Sequence, residues 1–264
     1  MIHNERPTVS IIVRTQNRPL LLKRAINSLL MQTFHDWCCV IVNDGGPRNV
    51  NESVAETSDR FLWIHNPKAL GRTRAANQGI HRTKTPFIAF LDDDDTWEPE
   101  FLEKTVSFMK KQRLNEHYGA VAVSVQEIYE IIQGDDIIIQ KKRPFRLQRH
   151  EVKMWELAMF NFLPTSSVLI DRVALDKVGL LDESLEYLED WDLYLRLSRE
   201  YEIGMLKDRL YNYHFRQGTQ NQYCNTVSEK RHQCFLTETY LRNKYLREDI
   251  KSGKFGLGMM MNLT

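Results

Sequence analysis

The chain has 264 residues with 42% hydrophobic side chains, which is enough for one large globular domain or two halves sharing a core and argues against overall disorder. Its 36 basic and 35 acidic side chains give a formal net charge of +1, so no overall field would concentrate nucleic acid or anionic membrane. We therefore expect no nucleic-acid partner. The four cysteines have neither CxxC spacing nor a dense framework, which argues against zinc and favours a reducing compartment or core packing. They are Cys38, Cys39, Cys224 and Cys234.

The two ends of the chain bear on its location. Residues 1–7 are polar, and the apolar run after them is far shorter than the ~20 residues that a membrane-spanning helix needs. We therefore expect neither a signal peptide nor an anchor, and we predict a cytoplasmic protein. Residues 255–264, with Met259, Met260 and Met261, are apolar enough to dock on a membrane surface or a partner. We favour packing against the protein, with peripheral contact at the inner face of the membrane as the alternative.

Strand and helix patterns alternate along the first hundred residues. Short apolar runs predict strands at residues 8–13, 37–42, 61–65 and 87–91, and helical spacing predicts helices at residues 19–31 and 71–81. This alternation favours a mostly parallel sheet with helices on both faces. Ligands of such sheets bind beyond the carboxyl ends of the strands. The polar loops 14–18, 43–46 and 92–95 follow three of these strands, so we predict that they converge on one cleft.

A cluster of four aspartates, Asp92, Asp93, Asp94 and Asp95, follows the predicted strand 87–91 directly. Adjacent carboxylates repel one another unless a cation or solvent relieves the repulsion. If the backbone stays extended, Asp92 and Asp94 share one face and the other two share the opposite face. Oxygen ligands in this number suit Mg²⁺ or Mn²⁺, which use a few carboxylates together with substrate phosphate oxygens. The alternative is a solvated acidic turn before a helix that begins near Glu98.

The second half of the chain contains another acidic group, Glu189-Asp190-Trp191-Asp192, which predicts the start of a helix. Acidic residues in a first helical turn often only complement the helix dipole, and this explanation accounts for Glu189 and Asp192. Further along, His214 follows a predicted strand, and a lone histidine is usually an ordinary hydrogen-bonding residue. Arg216 could instead bind phosphate through its planar guanidinium group.

The order of these segments resembles the family 2 glycosyltransferases of the GT-A fold. Residues 9–19 (VSIIVRTQNRP) resemble the opening strand and loop of that family, residues 42–46 (VNDGG) its second nucleotide-contacting segment, and residues 90–95 (FLDDDD) its aspartate-any-aspartate signature. The resemblance extends from about residue 8 to about residue 218. It implies an α/β fold of GT-A type, with a Rossmann-like, mostly parallel central sheet flanked by helices and a helical C-terminal extension.

The resemblance also implies how the chain is divided. Residues 1–110 would form the nucleotide-sugar-binding half, and residues 111–218 would form the acceptor-binding and catalytic-base half of the same domain. Residues 219–264 would form the helical extension, which would border the acceptor site or mediate self-association into a homo-oligomer.

The resemblance further implies roles for individual residues. The residues that would bind the donor are Thr15, Asn17, Arg18, Asp44, Arg72, Arg74, Asp92 and Asp93. The residues that would hold Mn²⁺ or Mg²⁺ are Asp94, Asp92 and His214, and the pair that would supply the catalytic base is Asp190 with Glu189.

Four of the donor assignments have a simpler alternative or depend on a departure from the family pattern. Thr15 could merely end a strand, and Asp44 could form an Asx turn before its glycines. Relatives often carry an arginine directly before the asparagine that matches Asn77, where this chain has alanine. Arg72 and Arg74 would substitute for it from one turn earlier.

The implied reaction moves a sugar from a nucleoside diphosphate donor, preferably a UDP-sugar, to a hydroxyl of a saccharide or lipid-linked saccharide. Direct displacement needs a base for the proton of the attacking hydroxyl and a cation for the departing diphosphate, and a single displacement inverts the anomeric centre. A metal-dependent nucleotidyltransferase is one alternative, although no clear glycine-rich phosphate loop follows the first strand. A noncatalytic nucleotide- or carbohydrate-binding module is another, which would need neither the aspartate cluster nor Asp190.

Overall fold

The computed structural model describes residues 7–51, 59–112, 117–145, 147, 149–216, 223 and 231–263, so Cys224 lies outside the described residues. The strands are β1 (Val9–Thr15), β2 (Trp37–Asp44), β3 (Phe61–Asn66), β4 (Phe87–Asp92), β5 (Thr96–Trp97), β6 (Tyr118–Gln133), β7 (Asp136–Pro144), β8 (Val168–Asp171) and β9 (Glu202–Arg216). The helices are α1 (Pro19–Leu30), α2 (Arg72–His81), α3 (Phe101–Gln112), α4 (Met154–Met159), α5 (Arg172–Val178), α6 (Glu189–Ser198), α7 (Arg231–Ser252) and α8 (Leu257–Met261). Short 3₁₀ turns occupy Arg48–Asn51 and Thr165–Ser167.

The nine strands of the described residues form one sheet, in which eight follow the order β3-β2-β1-β4-β8-β6-β9-β5 and β7 pairs with β6. The pairings among β1, β2, β3 and β4 are parallel, which confirms the predicted α/β fold. The second half is mixed: β6 and β9 pair in parallel, whereas the pairings β4–β8, β6–β8, β5–β9 and β6–β7 are antiparallel. The physical reason is clearest at β6 and β7, because strands joined by a tight hairpin can only run antiparallel.

Helices cover both faces of the sheet, and alternate side chains of the central strands enter two hydrophobic clusters. In β1, Ile12 packs into the cluster that includes α2, α6 and α7, called here the α2-side cluster. Ile11 and Val13 pack into the cluster that includes α1 and α3. All of β1 is buried, as expected for a central strand covered on both faces. Helix α1 begins with Pro19, which is favourable at a first helical position, and buries the apolar face that the sequence spacing predicted.

The C-terminal helices α7 and α8 pack on the α2-side cluster, where Leu241, Tyr245 and Met261 are buried. The two helices approach so closely that a Cβ atom at Gly258 would lie only 2.2 Å from the backbone nitrogen of Leu246. The apolar tail was expected to pack against the protein. The structure shows this packing at α8. Among the described helices, none combines the length and the apolarity needed to cross a bilayer.

A buried carboxylate joins α7 to α6. Asp192 is fully buried, and its Oδ1 atom accepts hydrogen bonds from the Tyr245 hydroxyl at 2.9 Å and from Lys244 Nζ at 3.2 Å. Its Oδ2 atom lies 2.8 Å from Arg196 Nε. Asp192 therefore does more than complement a helix dipole, because it holds the C-terminal helix against the rest of the domain.

Replacing Asp192 with alanine is expected to lower the free energy of unfolding by about 3 kcal/mol, because removal of one partner leaves buried charged groups uncompensated. Tyr245→Phe removes only the hydroxyl hydrogen bond and is expected to lower the free energy of unfolding by about 1 kcal/mol. Urea unfolding followed by circular dichroism measures both changes. Equal stability of the two variants would contradict the anchoring role of Asp192.

Candidate functional site

Strands β1, β2 and β4 end side by side at one edge of the sheet. The strand register pairs Thr15 with Asn43 and Arg14 with Asp92, so the three polar loops begin at neighbouring positions. Residues far apart in sequence thereby come into contact. The Thr15 hydroxyl, for example, donates a hydrogen bond of 2.7 Å to Asp93 Oδ2. The structure thus brings the predicted loops together at the carboxyl ends of the strands.

The backbone of the four aspartates does not stay extended. Strand β4 ends at Asp92, and the Asp95 amide donates to the Asp92 carbonyl at 3.1 Å, which closes a turn. The expectation that alternate side chains share a face is therefore wrong, and Arg18 Nη1 lies 3.3 Å from carboxylate oxygens of both Asp93 and Asp94. The alternative of a solvated acidic turn is also wrong, because Asp93 and Asp95 are buried.

Cationic side chains, rather than solvent, compensate the negative charges of Asp92 and Asp94. Arg14 Nη2 lies 2.6 Å from Asp92 Oδ1, and Arg216 forms an ion pair with Asp94. Burial raises the pKa of Asp92, but Arg14 and Arg72 lower it by more, so the net pKa lies below its ordinary value. Asp92 is therefore held in its charged form.

The pKa values of the two buried aspartates, Asp93 and Asp95, shift in the opposite direction, above their ordinary values. Burial raises the pKa of Asp93 to about 6, although Arg18 opposes this change. Burial, and then the nearby Asp94, raise the pKa of Asp95 well above its ordinary value, while the Tyr211 hydroxyl and the His214 backbone amide donate hydrogen bonds to its oxygens. The cluster therefore carries less negative charge than four separate aspartates would, which reduces the repulsion that the sequence implies.

Arg14 connects the end of β4 to the start of α6. Its Nη1 atom lies 3.0 Å from Glu189 Oε1, while its Nη2 atom contacts Asp92. Arg72, the first residue of α2, contacts the same Glu189 oxygen through Nε at 3.4 Å. The Glu189 side chain is only 3% exposed, so its carboxylate is committed to two guanidinium groups. Leu188, directly before it, has a φ of 60°, a strained conformation for leucine of the kind that collects at functional sites.

Asp190 follows Glu189 and is held by three hydrogen bonds. The Thr165 hydroxyl donates to Oδ2 at 2.8 Å, and the Asn161 side-chain amide and the Trp191 backbone amide donate to Oδ1 at 3.2 and 2.7 Å. Burial, and then the charge of Glu189, raise the pKa of Asp190 to about 6. The hydrogen bond from Thr165 partly opposes that rise. A fixed carboxylate with such a pKa can accept a proton near neutral pH.

The 3₁₀ turn Thr165–Ser167 joins the two acidic groups. The Ser166 hydroxyl oxygen accepts a hydrogen bond of 2.9 Å from the Asp92 amide, while Thr165 next to it holds Asp190. The Ser166 carbonyl in turn accepts from Trp97 Nε1 at 2.7 Å. This turn therefore fixes the end of β4 relative to the start of α6.

Asp44 binds groups of the segment that precedes α2. Its carboxylate accepts hydrogen bonds of 2.9 Å from the backbone amides of Leu70 and Gly71 and from the Asn66 side chain. Asp44 is therefore not an Asx-turn residue; in the turn after β2 it is Asn43 whose side-chain oxygen accepts a hydrogen bond of 3.0 Å from the Gly46 amide. Because Gly71 directly precedes α2, Asp44 sets the position at which that helix begins.

The remaining predicted donor residues differ in how they face the site. Arg72 is 30% exposed beside Glu189. Arg74 is 60% exposed and pairs with Glu183 at 3.5 Å, so it turns away from the aspartates. Asn17 is exposed and has a φ of 54°, which places it in a left-handed turn after β1.

The side chains of His214 and Arg216 are both engaged with protein groups. His214 Nδ1 lies 2.7 Å from Glu130 Oε2, and its Nε2 atom lies 3.0 Å from the Thr96 hydroxyl. A metal bound at either ring nitrogen would displace one of these contacts. The Arg216 side chain is fully buried and pairs with Asp94 and Glu130, so it faces carboxylates.

The arrangement of the acidic side chains bears on whether the site can hold a metal ion. Among the residues that the structure describes, no group of three or more histidine, cysteine, aspartate or glutamate side chains is arranged to hold one. The contacts of Asp92 with Arg14 and of Asp94 with Arg18 and Arg216 each involve one oxygen of the carboxylate. Mg²⁺ is commonly bound by one or two carboxylates and completed by water and substrate phosphates. The donor chemistry therefore fits a metal that a phosphate-bearing substrate completes.

Sequence reasoning missed several residues that shape this site. Arg14, which the sequence placed in the loop 14–18, lies in β1, and no motif indicated it as the link between Asp92 and Glu189. Thr165 and Ser166 had only a weak signal as a polar turn after an apolar run. Glu130 had a signal that could have been used, because it is one of two carboxylates, with Glu127, in the largely apolar strand β6.

The sequence matches Glycosyl transferase family 2 over residues 10–178, which is more than half of the chain. An uncharacterized glycosyltransferase of Rickettsia prowazekii is 27% identical over 197 residues, and this chain spans 59% of the length of that relative and is matched over 73% of its own. An Escherichia coli protein named UDP-Glc:alpha-D-GlcNAc-diphosphoundecaprenol beta-1,3-glucosyltransferase WfgD is 29% identical over 191 residues, which cover 72% of this chain and 68% of WfgD.

Solved structures share the fold. S. aureus TarS 1-349 in complex with UDP-GlcNAc superposes with a TM-score of 0.65 at 17% identity, covering 90% of this chain and 66% of TarS 1-349. The mannosyltransferase PcManGT from Pyrobaculum calidifontis, in complex with GDP-Man and Mn²⁺, superposes with a TM-score of 0.60 at 15% identity, covering 80% of this chain and 57% of PcManGT. These likenesses show a GT-A fold. The chain belongs to glycosyl transferase family 2.

Proposed function

We propose that this chain transfers a sugar from a nucleoside diphosphate donor to a hydroxyl group of a saccharide or lipid-linked saccharide, with inversion at the anomeric carbon. The observation that carries the proposal is the placement of Asp190, a fixed carboxylate with a pKa raised to about 6 beside Glu189 and the arginines that border Asp92. A proton acceptor and a polar cluster suited to a diphosphate are the two elements that direct sugar displacement requires.

A UDP-sugar is the donor that we favour. The name of WfgD specifies UDP-Glc, and TarS was solved with UDP-GlcNAc, whereas PcManGT was solved with GDP-Man. A nucleoside diphosphate is the part common to all three. We assign its phosphates to Arg18 and Arg72, because these side chains are 18% and 30% exposed beside the carboxylates and guanidinium groups bind phosphate oxygens in pairs.

The other donor assignments remain proposals with different support. Thr15 and Asp93 are linked to each other by a hydrogen bond, so they would act on the donor as one unit. Asp44 would act through the backbone that it holds before α2. Asn17 lies on the exposed turn after β1, whereas Arg74, paired with Glu183, has the weakest geometric support of the set.

Asp190 is proposed as the base. Its carboxylate would take the proton of the acceptor hydroxyl while that oxygen bonds to the anomeric carbon and the bond from this carbon to the diphosphate oxygen breaks. Glu189 would not accept the proton, because its carboxylate is committed to Arg14 and Arg72. Its negative charge instead raises the pKa of Asp190, which makes that residue a stronger base.

Asp92 and Asp94 are the residues that would hold Mn²⁺ or Mg²⁺. When bound, the metal would stabilise the negative charge that develops on the departing diphosphate. The chemistry of the two carboxylates and the Mn²⁺ in the PcManGT complex support this assignment. The role of His214 as a third ligand stays a prediction, and its contacts with Glu130 and Thr96 favour a structural role instead.

The acceptor class is inferred from a relative. The name of WfgD describes a lipid-linked saccharide acceptor, and we extend that class to this chain. Contact with a membrane surface and self-association stay predictions. A metal-dependent nucleotidyltransferase is disfavoured by the family match, and a noncatalytic binding module gives no reason for a carboxylate held as Asp190 is.

Nucleoside diphosphate release from a panel of UDP- and GDP-sugars is expected to depend on Mn²⁺ or Mg²⁺. Asp190→Asn is expected to lower kcat by about 10²–10⁴-fold, because asparagine cannot accept the proton. Asp94→Ala is expected to abolish the part of the activity that chelators remove. Asp208→Asn makes the same chemical change at a surface ion pair with Lys104 and should leave release unchanged. A wild-type protein that binds no sugar nucleotide would favour a different function.

The pH dependence of kcat/KM tests Asp190 separately. The residue acts as a base only when ionised, so activity is expected to rise with pH and level off above about 6. Thr165→Val removes a hydrogen bond that lowers the pKa of Asp190, so the rise should move to higher pH. Ser167→Ala removes a hydroxyl from the same turn that donates to the Pro164 carbonyl instead of to Asp190, and it should not move the rise. The base assignment fails if Thr165→Val and Ser167→Ala give the same profile.

The configuration of the product tests the single-displacement mechanism. An α-linked donor sugar is expected to give a β-linked product, because one attack on the anomeric carbon inverts it. Proton NMR of the isolated product reads the configuration directly from the coupling of the anomeric proton. An α-linked product would exclude direct displacement with Asp190 as base.

A further inference from the structure

Glu130 is a buried carboxylate that no part of the proposed reaction uses. It lies on β6, and its side chain is fully buried. Its Oε2 atom lies 2.7 Å from Arg24 Nη1 and 2.7 Å from His214 Nδ1, and its Oε1 atom lies 3.4 Å from Arg216 Nη1. A buried carboxylate is costly unless it is paired in this way. Three side chains from two elements, Arg24 of α1 and His214 and Arg216 of β9, therefore meet at one carboxylate.

Two of these three groups also contact Asp94. Arg216 places its Nη2 atom on the Asp94 carboxylate, and Arg24 places its Nη2 atom on the Asp94 carbonyl oxygen. Each guanidinium group thus has one nitrogen on Glu130 and the other on Asp94. Because the guanidinium group is planar and rigid, fixing one nitrogen fixes the direction of the other. Glu130 therefore sets the position of Asp94 indirectly, through Arg216 and Arg24.

We propose that Glu130 is a positioning residue that holds the Asp94 carboxylate in place through Arg216 and Arg24. The proposal rests on the function proposed above, in which Asp94 binds the metal and diphosphate. Without the charge of Glu130, Arg216 would lose one of the two carboxylates with which it pairs, and more of its positive charge would be compensated by Asp94. Asp94 would then be less available to a metal, although the fold of the sheet would persist.

The ionisation of Glu130 is consistent with this role. Burial raises its pKa, but the hydrogen bond with His214 and the charge of Arg24 lower it by more, to about 2. The pKa of Glu130 thus lies below its ordinary value, and its carboxylate is charged near neutral pH. Its influence on the two arginines is constant and does not act as a pH switch.

A second glutamate on the same strand provides a matched control. Glu127 is also buried, and its carboxylate pairs with Arg143 and accepts a hydrogen bond from the Tyr129 hydroxyl at 2.7 Å. Arg143 lies on β7, whereas Arg24 and Arg216, the arginine partners of Glu130, lie on α1 and β9. Glu127→Gln therefore reports the cost of removing a buried charge from β6 without disturbing Asp94.

The experiment compares Glu130→Gln, Glu127→Gln and the wild type by calorimetric titration with UDP in the presence and absence of Mn²⁺. Glu130→Gln is expected to weaken UDP binding in the presence of Mn²⁺ by about 10–100-fold, because loss of a group that holds a metal ligand commonly has an effect of this size. Binding of UDP without Mn²⁺ should change by much less. Glu127→Gln should leave both affinities unchanged, and thermal melting should show that both variants are folded. Equal effects of the two substitutions, or unchanged Mn²⁺-dependent binding in Glu130→Gln, would overturn the proposal.

A crystal structure of Glu130→Gln tests the geometry without any ligand. We expect the Arg216 guanidinium group to leave its present position between residues 130 and 94, with a shifted Asp94 carboxylate. An unmoved Asp94–Arg216 pair would overturn the proposal. If the wild type binds neither UDP nor Mn²⁺, the proposed function fails, and the crystal structure still decides the role of Glu130.

Discussion

Four adjacent carboxylates at the end of β4 have to be stabilised where water is largely excluded, and the arrangement of the site follows from that constraint. The compensating groups come from distant parts of the chain: Arg14 from the end of β1, Arg18 from the loop after it, and Arg216 from the end of β9. Because each ion pair has to form for the others to be tolerated, the two halves of the sheet are held together at the place where a donor would bind. Fold stability and site geometry are therefore coupled.

The same constraint gives neighbouring acidic residues different properties. Asp92 meets two arginines and stays charged, whereas burial raises the pKa of Asp93 beside it. The Glu189 carboxylate pairs with two arginines, whereas Asp190 accepts three hydrogen bonds and has a raised pKa. Environments that separate the pKa values of adjacent carboxylates are a common way to separate their chemical roles. In this chain burial raises the pKa values of Asp93 and Asp190, while burial and arginines together leave the pKa of Asp92 below its ordinary value.

Family membership constrains the reaction class more than the substrates. The solved relatives reported above are 15% and 17% identical to this chain and hold different sugar nucleotides, so the common fold does not select among donors. Donor choice depends on a few contacts around the sugar and the base. The ion pairs at Arg14 and Arg216 instead involve Asp92 and Asp94, the carboxylates proposed above to hold the metal.

Local periodicity and short apolar runs are enough to predict the fold class, the parallel first half and the loops that meet at the strand ends. The resemblance to a family also indicated Asp92–Asp95 and Asp190 as an acidic site. Three features were not predictable in this way: the aspartates occupy a turn, Asp44 holds the start of α2, and Glu130 pairs with the two arginines that contact Asp94. These features depend on which buried charges come close to one another across the sheet. Pairings between residues more than seventy positions apart follow from packing in three dimensions, which no local pattern encodes.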